Sequence, residues 1–374
     1  MNILNVILPV GFFCIAISFS ALEAQTSAFS SYDSPGPYSE ERISNTGPDG
    51  AYDVFRPKTL GSNGEKHAII TWGNGTGASV ASYQGLLQHL ATHGFVVIAS
   101  QSSSTGSGIE MANGANWLLE ENARNGSEYY NKLNSQKVGA TGHSQGGAGT
   151  IQSLQHTGKI TSIAPLAPAT FTAPFFYSTS HVNAVMFIMV GSNDNLANPT
   201  SVRTTSWSSF GEKGIGLYGE IEGVTHFEEM GDCGKFRKYV TVWFDATLNT
   251  NPKALTMIFD SANGALHTTP SEWSRLLYQN LKLFSVETTI FLKPIAGAFP
   301  FKAMVENNNL VLQISDGKQL NISAYNLRGA LVYNATFSKS HTLPFTIFGA
   351  KGGYITTVKN SERIILRKKM IITR

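Results

Sequence analysis

Lys137-Val138-Gly139-Ala140-Thr141-Gly142-His143-Ser144-Gln145-Gly146-Gly147-Ala148-Gly149-Thr150 is the stretch on which the fold turns. Its first part, KVGATG, is a short run of small and apolar residues of the kind buried in parallel strands. Its continuation, GGAGTIQSLQHTG, carries helical spacing. Ser144 is a nucleophile or a serine in a glycine-rich turn, and the flanking segments decide which. Upstream, AYDVFRP and HAIITWG read as strands, and VASYQGLLQHLATHG has apolar residues at helical spacing and stops on Gly94. FVVIAS reads as a buried strand and ANGANWLLEENARN as a helix. Downstream, ITSIAPLAP and AVMFIMVGSND are two further strands. Strands alternating with helices predict a parallel α/β sheet.

In that setting G-x-S-x-G lies between a strand and a helix, the pattern of the nucleophile elbow of α/β-hydrolases. The expected fold class is therefore the α/β-hydrolase fold, a mostly parallel sheet with helices on both faces. Ser144 must sit on a sharp, strained turn, so Gly142 and Gly146 leave room beside it, while Gly147 and Ala148 let the helix approach the sheet. A serine hydroxyl needs a base, and the base needs an orienting carboxylate. On this fold the chain order is serine, acid, histidine. Asp194 follows the strand-like VMFIMVG, and His226 follows GLYGEIEG, so Ser144, Asp194 and His226 are the candidate catalytic residues. His181 is the next candidate base, but it precedes Asp194 and breaks the order. The backbone N–H groups of Gln145 and of Thr76, in the loop after HAIITWG, are the candidate oxyanion donors. GNGTG lacks the lysine and spacing of a phosphate loop.

The net charge of +3 over 374 residues gives no case for nucleic acid. No His/Asp/Glu cluster has ligand spacing, so no metal and no other cofactor is expected. Residues 1–24 resemble a secretory signal peptide cleaved near Ala24, although no Lys or Arg precedes the apolar run, whose length approaches that of a membrane anchor. Cys14 lies in that segment, leaving Cys233 alone in the mature chain with no internal disulfide partner. The basic end, RIILRKKMIITR, reads as a solvated terminus.

GPYSEERISNTGPDGAYDVFRP, GTGASVASYQGLLQHLATHGFVVIAS, TGHSQGG, GSNDNLANP and GVTHFEEMG together resemble the bacterial cutinase and PET hydrolase group, polyester hydrolases within the dienelactone-hydrolase-like set. The resemblance runs from about Gly36 to Phe244. It implies a Ser144–His226–Asp194 triad and an oxyanion hole at Thr76 and Gln145. It departs where the group usually has Tyr or Phe (here Thr76), Met (here Gln145) and Trp (here Ala169, with Phe171 close behind). Thr76, Gln145, Ala169 and Phe171 are the expected substrate-binding positions, in a cleft more polar near the carbonyl than the group's.

The expected organisation is a catalytic domain over 25–285, completed by helices after Phe244, a linker over 286–298, and a small β-sandwich from Phe299 to the end. ISAYNLRGALVY, GGYITTV and the basic end resemble type IX secretion sorting domains, whose partner would be the export machinery; a carbohydrate- or polymer-binding module and a passive stabilising domain stay open. The resemblance implies a secreted or cell-surface serine esterase, monomeric, acting on a polyester or similar ester. The alternatives are an acetyl or feruloyl esterase of plant polysaccharide and, in another class, a non-catalytic binding protein on a hydrolase scaffold.

Overall fold

The computed structural model describes residues 29–281 except 171–176, 213, 261–263 and 269–271; beyond residue 300 it describes seven strands by their backbone. The signal-peptide segment, the linker and Phe171 lie outside the described residues. The chain divides into two units, Met1–Leu281 and Lys282–Arg374.

In the first unit nine strands form one sheet. They are β1 (Glu40–Thr46), β2 (Tyr52–Pro57), β3 (His67–Gly73), β4 (Val96–Ser100), β5 (Leu133–His143), β6 (Ile160–Leu166), β7 (Val185–Gly191), β8 (Gly216–Ile221) and β9 (Trp273–Gln279). The spatial order is β1-β2-β4-β3-β5-β6-β7-β8-β9. The run from β4 to β8 is parallel, and β1, β2 and β9 add antiparallel edges. Helices α1 (Gln84–Thr92), α2 (Ile109–Ala123), α3 (Gln145–Gln152), α4 (Arg237–Thr247) and α5 (Pro252–Phe259) connect and cover it.

The strands are apolar on both faces because both are covered. Ile70, Trp72, Val97, Phe187 and Met189 pack with Leu86, Leu87 and Leu90 of α1 and Trp243 and Phe244 of α4. Their chain neighbours Ile69, Val96, Ile98, Met186 and Ile188 pack on the other side with Met111 and Leu118 of α2 and Ile151 of α3. Neighbours in a strand point to opposite faces, so one run of apolar residues supplies two cores. Burying each such side chain contributes about 1.5–3 kcal/mol.

The segment after Phe244 corrects one expectation. α4, α5 and a helical turn at Ala265–Thr268 are helical, but Trp273–Gln279 is a strand paired antiparallel with β8. WSRLLYQ alternates only weakly, and its pairing surface on β8 lies more than 50 residues upstream. In the second unit, β10 (Phe301–Glu306), β11 (Asn309–Ile314) and β14 (His341–Pro344) form one antiparallel sheet. β12 (Leu320–Asn326), β13 (Leu331–Phe337), β15 (Gly352–Lys359) and β16 (Ile364–Ile372) form another. Residues 364–372 of the basic end form β16, at the edge of its sheet.

Candidate active site

Four segments that follow the carboxyl ends of β3, β5, β7 and β8 converge, the usual place for ligand and catalytic groups in such sheets. Ser144 stands between β5 and α3 at φ 56° and ψ −115°, a left-handed conformation strained for a non-glycine residue. Hydrogen bonds hold it there. Ser144 N–H donates to the Leu166 carbonyl at the end of β6, and the Ser144 carbonyl accepts from Ala148 and Ala169. Glycine is required around this turn by close backbone approach. A Cβ on Gly146 would lie 2.0 Å from the Gly73 carbonyl oxygen, and one on Gly142 2.5 Å from that of Gly146.

The Ser144 hydroxyl lies 3.0 Å from His226 Nε2, and His226 Nδ1 lies 2.7 Å from Asp194 Oδ2. Asp194 is buried, and its other oxygen accepts the N–H groups of Leu196 and Ala197 at 2.8 and 2.7 Å. A carboxylate held by three donors dictates the tautomer. His226 carries its proton on Nδ1, and Nε2 faces the Ser144 hydroxyl as an acceptor. His181 lies elsewhere, against the Ile151 carbonyl of α3.

A cleft of about 530 Å³ opens over Ser144 and His226 and is lined also by Thr76, Tyr83, Ala169, Leu196, Phe227 and Met230. Thr76 and Ala169 are thus among the residues that line the cleft. The side chain of Gln145 is not. It is buried and spent on four hydrogen bonds, donating to Thr76 Oγ1 and the Ser103 carbonyl and accepting from Ser104 Oγ and Gly106 N–H. As the first residue of α3, Gln145 keeps only its N–H directed toward the end of the helix, where amides have no acceptor within the helix. Leu196, Phe227 and Met230 are exposed apolar residues that sequence reading passed over. Phe227 had a signal in its place directly after His226, and its ring meets His226 edge-on at 5.4 Å.

Behind the site lies Glu229, fully buried, with no hydrogen-bond partner for either carboxyl oxygen among the described residues. Around it stand His143 Nε2 at 3.7 Å, Asp194, Glu228 and the buried thiol of Cys233. Burial, reinforced by the Asp194 charge, pushes its carboxyl well above the ordinary 4.5. An acid raised in the folded state contributes stability fully present below the unfolded pKa and lost as pH rises through the folded one. Glu229→Gln should therefore melt about 3–10 °C above the wild type at pH 8, with the gap closing toward pH 4. Thermal denaturation of both proteins across that range reads the effect; a gap independent of pH would show that folding does not raise the Glu229 pKa.

Fold and elbow together place the chain among the α/β-hydrolase-fold proteins. The chain matches the family described as PETase: PET hydrolase-like over residues 18–267, and it belongs to that family. It is 27% identical over 215 residues to Cutinase est2 of Thermobifida alba, covering 56% of this chain and 66% of that protein. It is 28% identical over 228 residues to Cutinase 2 of Thermobifida cellulosilytica, covering 59% of this chain and 80% of that protein. Cutinase cut1 of Thermobifida fusca is also 28% identical over 228 residues, with 66% of its length covered.

Proposed function

We propose that the protein is a serine hydrolase that cleaves carboxylic esters of bulky, apolar substrates, polyesters included. The observation that carries this reading is the hydrogen-bonded chain from Ser144 through His226 to Asp194 on a strained elbow. Ser144 Oγ attacks the ester carbonyl carbon as its proton passes to His226 Nε2, and the N–H groups of Thr76 and Gln145 receive the oxyanion. The intermediate collapses, His226 returns the proton to the leaving alcohol, and an acyl-Ser144 ester remains. Water, deprotonated by His226, releases the acid and restores Ser144. Asp194 keeps His226 oriented and stabilises its charged form.

The substrate class is supported by the exposed apolar rim of Leu196, Phe227 and Met230 around the cleft and by the chain's similarity to proteins named cutinases. Apolar residues at the mouth favour a chain or surface that is itself apolar over a hydrated glycan. The test compares release of soluble acid from a polyester film with release of acetate or ferulate from a decorated polysaccharide. Faster release from the film is expected; turnover confined to the polysaccharide would reassign the substrate, and none on any ester would end the reading. We read the N-terminal apolar run and the C-terminal strands as export signals, on their resemblance to a signal peptide and to sorting domains. Deleting residues 299–374 is then expected to leave the protein inside the producing cell.

A further inference from the structure

Tyr83, His143 and Glu229 are buried polar residues against the site with no part in the chemistry above. Gly75 N–H lies 3.1 Å from the Tyr83 hydroxyl, that hydroxyl 2.9 Å from His143 Nδ1, and His143 Nε2 2.8 Å from the His226 carbonyl. The direction of every bond follows from its ends. An amide N–H only donates, so the Tyr83 oxygen accepts from Gly75. A carbonyl only accepts, so His143 carries its proton on Nε2. In a neutral ring Nδ1 then accepts, and the Tyr83 O–H donates to it. Burial and the adjacent His226 ring hold His143 down at about 3, so the ring stays neutral.

We propose that Tyr83 and His143 are positioning residues, forming a buried relay that holds the oxyanion loop, the nucleophile elbow and the histidine loop in one catalytic arrangement. The inference rests on the serine-hydrolase reading. The relay touches the site at three places: Gly75 precedes Thr76, His143 precedes Ser144, and the last acceptor is the carbonyl of His226 itself. The path has been cleared for it, since a Cβ on Gly75 would stand 2.7 Å from the Tyr83 oxygen and 3.2 Å from His143 Nδ1. An apolar ring at 143 would fill the same space without the cost of burying imidazole nitrogens. Glu229 has a place in the same scheme. As a carboxylate 3.7 Å from Nε2 it would compete with the His226 carbonyl for the relay's proton; as a neutral acid in an apolar setting it does so weakly.

The test uses the full-length protein and a soluble nitrophenyl butyrate. Tyr83→Phe removes one oxygen and keeps the ring packed against Trp72, tilted to it at a centroid distance of 4.8 Å. It is expected to lower kcat roughly 10–100-fold, the scale of a small misplacement of reacting groups, with KM changed less than about twofold. His143→Phe keeps a ring in that space but offers the His226 carbonyl no donor and Tyr83 no acceptor, so adding Tyr83→Phe to it should cost less than Tyr83→Phe costs in the wild type. A Tyr83→Phe kcat within about twofold of wild type, or a change in KM alone, overturns the proposal, as do fully additive effects. Imidazole 15N shifts of the wild type give a reading independent of turnover and of the variants' folding. His143 is expected as the Nε2–H tautomer that does not titrate between pH 5 and 8; an Nδ1–H tautomer, or titration in that range, overturns the relay. Absence of ester turnover in the wild type with the expected shifts would instead count against the functional reading while leaving the relay's geometry intact.

Discussion

Replacing Ser144 with alanine is expected to abolish ester turnover, a loss of about a million-fold in kcat, with the fold unchanged. Removal of a serine nucleophile or its base from a working triad costs on this scale, because binding and oxyanion stabilisation remain but the covalent route is gone. His226→Ala should lose about as much, since Nε2 lies 3.0 Å from the hydroxyl and is the base that takes its proton in the proposed mechanism. The double variant should be no worse than either single one, because each removal already disables the same step. The methyl of alanine fits where the hydroxyl was, and the backbone bonds to Leu166 and Ala169 that hold the turn do not involve the side chain. Thermal melting should therefore stay within a few degrees of wild type. Steady-state kinetics beside a melting curve make the measurement. A Ser144→Ala protein with a tenth or more of wild-type turnover would mean that another group attacks the ester.

Gly146→Ala is expected to destabilise the catalytic unit by about 3 kcal/mol or more, at the upper end of what overpacking costs. Its Cβ would lie 2.0 Å from the Gly73 oxygen, 2.3 Å from the Gly73 carbonyl carbon and 2.7 Å from the Asn74 oxygen. All three are backbone atoms at the end of a central strand, so nothing can swing aside as a flexible side chain would. The start of α3 would have to back away from the sheet, carrying Ser144 and the Gln145 amide with it. For a unit of this size the melting temperature should fall by roughly 6–12 °C, and turnover should fall in the molecules that still fold. Gly158→Ala is the control, because a Cβ there meets nothing within 4 Å. Equal melting temperatures for the two variants would show that α3 is not wedged against β3 at this glycine.

Much of this architecture was legible from residue order. HAIITWG is β3 without a residue's difference, and FVVIAS, ITSIAPLAP and VMFIMVG each contain their strand. These segments are buried on both faces, so they are short, apolar and β-branched, and that signal is local. Ser144, Asp194 and His226 were nameable for a related reason: each follows a recognisable strand, and chain order does the rest. β9 escaped notice because an edge strand half open to solvent, with burial that varies along its length, carries a weak pattern.

What the chain by itself determined, then, is which segments are strands and helices, that a serine stands on an elbow, and which acid and histidine can follow it. Period-2 and period-3.6 patterning and glycine spacing write those into neighbouring residues. Tertiary structure alone decided the rest. Gln145 was read as shaping the cleft, yet its side chain is bound to Thr76 and the Ser103–Gly106 loop, because the turn of the elbow sets its direction and that loop arrives from the end of β4. Leu196, Phe227 and Met230 form one apolar rim only because the loops after β7 and β8 meet. Tyr83 reaches His143 across 60 positions, and His143 reaches the His226 carbonyl across 83. Contacts at such separations depend on the order in which strands assemble, β3 beside β5 and β7 beside β8, and that order is a property of the packed sheet rather than of any stretch of its sequence.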